Sequence, residues 1–186
     1  LASALGGDPA TALRLAEALA ALLDSVALED LSLDALDRLV PEALAEHWQK
    51  TLDFLVILRQ HWPKILAEEG RIDGAARRVA SLRSLAAAWK QYPPSAPVYA
   101  AGSTGSIPAT AELMAVIARL PQGAVILPGL DQQSAAETWN EILLTPAHPQ
   151  YGLGLLLNRL HVDRREVRPW PAAGPGNAAR AHLLAE

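Results

Sequence analysis

Residues 97–131, PVYAAGSTGSIPATAELMAVIARLPQGAVILPGLD, constrain the fold more than any other stretch of this chain. Val98, Tyr99, Ala100 and Ala101 form a short apolar run that stops at Gly102. A second run over 124–127 stops at Pro128 and Gly129. Runs of this length bounded by turn residues predict buried strands. Between them, Leu113, Val116, Ile117 and Leu120 recur at helical spacing, so 111–120 is expected to be a helix with one buried face. Two strands joined through a helix form a β–α–β crossover, which implies a parallel, right-handed pairing. What precedes the unit reads as helical.

The remainder of the chain follows from its caps and breakers. Asp8 and Pro9 suit the N-cap and first turn of a helix whose stripe is Leu15, Leu19, Leu22, Leu23 and Val26. A short acidic helix is expected after Ser32, with Leu33, Leu36 and Leu39 turned inward. Pro41 opens the longest predicted helix, 42–69, ended by Gly70 and carrying Trp48, Leu52, Leu55, Trp62 and Leu66 on one face. Pro63 lies inside it and is expected to kink or split it near Trp62. A fourth helix over 73–91 should bury Val79, Leu82, Ala86 and Trp89, before the breaker YPPSAP at 92–97. Further helices are expected over 134–144 and 153–160, followed by a Pro-, Gly- and Ala-rich extension from 168. The expected organisation is a helical subdomain (1–92), an α/β portion (97–167) and that extension (168–186).

Composition excludes several classes of function. The chain has 186 residues and no cysteine, so it has no disulfide, thiolate metal site or iron–sulfur cluster of its own. Residue 1 is Leu and the sole methionine is Met114, which suggests a piece of a longer, cytoplasmic protein without a signal peptide or membrane span. Residues 1–69 hold five basic and twelve acidic residues, whereas 70–186 hold eleven and eight. The acidic half argues against a broad phosphate-binding face there.

Few residues carry chemistry. Gly102, Ser103, Thr104, Gly105 and Ser106 lie between a strand and a helix, where free backbone N–H groups favour an anion. The simpler reading of the same five residues is a tight structural turn. They do not form a nucleotide P-loop, because the three lysines, Lys50, Lys64 and Lys90, all lie elsewhere. His47 and His61 are about 21 Å apart along a straight helix, too far for one metal ion. No G-x-S-x-G elbow supports a hydrolase triad. Arg71, Arg77, Arg78 and Arg83 form the densest basic cluster, with Arg71 and Arg78 expected on one helix face, suited either to solvent or to phosphate. The tryptophans on helical stripes read as core. No catalytic residue and no metal ligand emerge.

Four segments carry a resemblance: 98–131, LVPEALAEHWQKTLDFLVIL at 39–58, HWP at 61–63, and HPQYGLGLLLNRLHVDRREV at 148–167. In them the chain resembles the AddB subunits of bacterial AddAB helicase–nucleases, which process DNA double-strand breaks for homologous recombination. The resemblance implies a helicase-like architecture whose motor is inactive. Residues 1–92 would be a helical insertion, and 97–131 part of a RecA-like (P-loop helicase-type) parallel sheet.

The resemblance also implies that the strand at 98–101 occupies the place where an active motor ends in an acidic pair that holds Mg²⁺. Here it ends in Ala100, Ala101 and Gly102. Asp131 would stand near the phosphate-sensing position of the next strand. The family's cofactors (an iron–sulfur cluster and Mg²⁺ in a nuclease domain, ATP in the partner motor) would all lie outside this chain. The implied partners are the AddA subunit and a single strand of DNA from a processed duplex end. The implied function is a structural and DNA-path scaffold, with 102–106 and 145–152 as the places of contact. The alternative is a small α/β domain in which 102–106 cradles a phosphorylated metabolite, and such a domain calls for a sheet of four or more strands.

Overall fold

The computed structural model describes residues 8–32 and 45–170. They form helix α1 (Pro9–Leu28), α2 (Ala45–Glu68), α3 (Gly74–Gln91), strand β1 (Val98–Ala101), α4 (Pro108–Ile117), β2 (Gly123–Ile126), α5 (Ala136–Ile142) and α6 (Tyr151–Leu160). A 3₁₀ turn at Arg164–Glu166 follows. The architecture is helix-rich α/β with a two-stranded parallel sheet. The chain divides into two compact units, Leu1–Ser81 and Leu82–Glu186, so the division falls inside α3. The breaker at 92–97 lies in the second unit. No helix among the described residues is long and apolar enough to cross a membrane.

In the first unit α1 begins as its sequence dictates. Asp8 accepts from the N–H of Ala10 (3.1 Å) and Thr11 (3.3 Å), and Pro9 takes the first helical position. A hydrogen bond from the Thr11 hydroxyl, then that from Ala10, hold the Asp8 carboxyl below its ordinary pKa. None of the residues of α1 is buried, so its leucine stripe does not form the expected core. The expected acidic helix after Ser32 and the opening at Pro41 lie outside the described residues.

The long helix α2 runs unbroken through Pro63, so the expected split does not occur. Proline there costs one i→i−4 hydrogen bond, and the side chain is exposed. Trp62, expected in a core, is half-buried, and its indole N–H donates to Asp73 Oδ1 (3.2 Å) and Oδ2 (3.0 Å).

The second unit is built around α4. The register is Val98 opposite Gly123, Tyr99 opposite Ala124, Ala100 opposite Val125 and Ala101 opposite Ile126. Val98, Ala100 and Val125 therefore face α4, where Val116 and Ile117, with Leu120 just after the helix, pack with Ala86 and Trp89 of α3. Ala111 and Met114 pack on the other flank with Leu156 and Leu160 of α6. A bidentate pair, Arg83 Nε to Glu112 Oε2 and Arg83 Nη2 to Glu112 Oε1, both 3.2 Å, ties α3 to α4. The crossover is tight at Gly123, where a Cβ would stand 1.9 Å from the Ile117 carbonyl oxygen.

Helix α4 starts three residues earlier than its apolar stripe suggests. Pro108 fixes the first-turn φ, and Ile107 serves as a backbone cap. Strand β2 is displaced by one residue from its apolar run, because Gly123 pairs with Val98 and Leu127 leaves the ladder. The expected extension at 171–186 lies outside the described residues.

Candidate functional site

The segments that follow β1 and β2 meet the start of α6 at the carboxyl edge of the sheet, where open α/β folds place ligands. Gly102 donates its N–H to the Ile126 carbonyl (3.2 Å), extending the strand pairing by one bond. Its φ is +75°, and that of Gly105 is +63°, so two left-handed residues bracket Ser103 and Thr104. Gly105 is buried: a Cβ there would lie 2.8 Å from Leu156 Cδ1 and 3.2 Å from Ala111 Cβ. The loop is thereby pressed onto α4 and α6. A Cβ on Gly152 would come within 3.8 Å of Thr104 Cβ, so the two segments named from the sequence, 102–106 and 145–152, are neighbours.

The loop is not a phosphate cradle of the P-loop kind. The Gly105 N–H donates to Ser103 Oγ (3.1 Å), Pro108 has no N–H, and the N–H groups of Thr110 and Ala111 are bonded to the Ile107 carbonyl (2.9 and 3.0 Å). Of the five N–H groups in the loop, those of Gly102 and Gly105 are thus spent inside the chain, which breaks up a consecutive nest of donors. What faces outward is hydroxyl: Thr104 and Ser106 are exposed, and Ser103 is half-buried. Hydroxyls contact phosphate or sugar oxygens without adding charge.

Ala100 and Ala101 close β1 as the sequence states, and Ala100 packs into the core. Asp131 has a structural task. Its Oδ1 accepts from the N–H of Gln133 (2.8 Å) and Ser134 (3.2 Å), and its Oδ2 accepts from the Ser134 hydroxyl. Partial burial pushes this carboxyl upward. The bonds from the Ser134 hydroxyl and the two N–H groups, with the nearby Arg164 charge, outweigh that and hold it below its ordinary value.

Three side chains that sequence reasoning missed complete this turn. Gln150 Oε1 accepts from the Asp131 N–H (3.0 Å), and its Nε2 donates to the Gly129 carbonyl (2.9 Å). Arg164, buried, donates to the carbonyls of Ser134 and Asp131 and lies over the Trp139 ring at 4.7 Å from its centroid. Gln132 Nε2 donates to the Arg164 carbonyl (3.0 Å) and to that of Val167. These pairings join residues 19 to 35 positions apart. No periodicity or motif marks such contacts.

Of the four basic residues singled out, Arg71 precedes α3 and shares no helix face with Arg78, and Arg83 is engaged by Glu112. Among the described residues, no three His, Asp or Glu side chains are grouped to hold a metal ion. No family model matches the chain, and no curated protein and no solved structure is significantly similar to it.

Proposed function

We propose that this chain is a non-catalytic part of the inactive helicase-like region of an AddB-type subunit, serving as a structural and DNA-path scaffold in double-strand break processing. In this reading the β1–α4–β2 unit is a remnant of a RecA-like sheet, the partner is an AddA-type motor, and the passing ligand is a single DNA strand. One observation carries the reading. A parallel β–α–β unit retains its crossover and its close glycine contacts, yet the carboxyl end of β1 is Ala100, Ala101 and Gly102. The acid after β2, Asp131, is committed to its own turn. Among the described residues, such an edge presents no acidic pair of the kind that holds Mg²⁺ beside a nucleoside triphosphate. It keeps hydroxyls that could line a path for a sugar–phosphate backbone.

The phosphometabolite alternative finds little support in a sheet of two strands among the described residues and a loop in which Gly102 and Gly105 donate their N–H groups within the chain. The test is fluorescence anisotropy of a labelled single-stranded oligonucleotide with the chain, alone and assembled with its motor partner. Replacing Ser103, Thr104 and Ser106 together by alanine should weaken binding several-fold and flatten its salt dependence little, because hydroxyls rather than charges are removed. Unchanged affinity in both settings takes the loop out of the strand's path.

A further inference from the structure

Among the described residues, two of the four clustered arginines make no ion pair or side-chain hydrogen bond. Arg83 is held by Glu112, and Arg71 Nε lies 3.5 Å from Glu69 Oε2. Arg77 and Arg78 are exposed and, among the described residues, have no carboxylate within ion-pair distance. Both line one cavity of about 400 Å³ within the first unit, together with Asp24, Gly74 and Ser81. A volume of that size lies in the range of small-ligand sites. Two guanidinium groups against one carboxylate leave the lining net positive. The first turn of α3 carries no acid that would neutralise it. Asp73, which precedes α3, directs both carboxylate oxygens to the Trp62 indole instead.

We propose that this cavity binds a phosphate group, held by the forked donors of Arg77 and Arg78 with the Ser81 hydroxyl beside them. The site is distinct from the sheet edge of the second unit and does not rest on the function proposed for that edge. The phosphate could belong to a free phosphorylated molecule or to a nucleic-acid backbone, and the experiment separates these sources.

The 186-residue chain is titrated with inorganic phosphate, with melting followed against chloride at equal ionic strength. It is separately titrated with a labelled oligothymidylate, followed by anisotropy. Arg77→Ala/Arg78→Ala removes both forks. Gly74→Glu places a carboxylate in the cavity where a Cβ meets no atom within 4 Å, and an acid at a helix start favours folding. The expected result is a saturable response to phosphate that weakens at least tenfold in both variants while their circular dichroism is retained. A response to the oligonucleotide alone, lost in the same two variants, assigns the phosphate to a nucleic-acid strand. No saturable response to either ligand, or one that survives in both variants, overturns the proposal. An oligonucleotide response lost only when Ser103, Thr104 and Ser106 are replaced also overturns it, while leaving the scaffold function standing.

Discussion

Gly102 and Gly105 look alike in sequence and in backbone, with φ of +75° and +63°. Their surroundings differ: a Cβ on Gly102 meets no atom within 4 Å, whereas one on Gly105 meets Leu156 and Ala111. Gly102→Ala should therefore cost only the left-handed penalty, about 1 kcal/mol. Gly105→Ala adds overpacking and should cost about 2–4 kcal/mol. Urea denaturation of the two variants separates the terms, and equal losses would mean that the loop does not press on α6. Asp131 gives a second residue-level test. Its carboxyl is held below the ordinary value of about 3.9, so the ionised form is favoured in the folded state. The stability it contributes is complete above that unfolded value and is lost as pH falls through the lower folded value. Asp131→Asn should destabilise by about 1 kcal/mol at neutral pH and flatten the acid limb of stability against pH. A limb as steep as that of the parent would place the acid sensitivity elsewhere.

The elements were legible in proportion to how local their causes are. Asp8 and Pro9 act on the turn that they begin, and α1 starts there. The run Val98, Tyr99, Ala100, Ala101 is bounded by its own glycine, and β1 matches it. Pro108 overrode the apolar stripe at the start of α4, because a fixed φ at the first helical position weighs more than the first inward side chain. The two loops of the candidate site could be named from their residues. Which of their N–H groups are spent could not, since that depends on where Ile107 and Ser103 stand. Pro63 shows local preference yielding to the rest of a helix. It lies inside α2 without ending it, and its side chain is exposed. Pro63→Ala restores the missing donor and removes little packing, so it should stabilise the chain by about 1–3 kcal/mol. A lower denaturation midpoint would show instead that proline's rigidity stabilises the helix.

At the scale of the whole chain, the sheet of the second unit is, among the described residues, covered mainly on one face. Val98, Ala100 and Val125 meet α4, while Tyr99, at 64% exposure, and Ala101 turn to the opposite side with Ala124 and Ile126. Parallel sheets are ordinarily covered on both faces, since the crossovers that make them parallel also bring helices. Two strands are also fewer than an independent sheet requires, and each carries an unpaired outer edge among the described residues. A partly exposed apolar face beside strand edges that are unpaired among the described residues favours pairing between copies. The chain should therefore self-associate with rising concentration in sedimentation velocity. Tyr99→Lys should weaken that association several-fold, because a charge on the bare face must be desolvated in the contact while the α4 side of the strand is untouched. Folding is expected to be unaffected, since Tyr99 contributes to neither core cluster. A chain that stays monomeric throughout would mean that exposed Tyr99 and the free edges are tolerated, and that solvent suffices as the cover of this sheet.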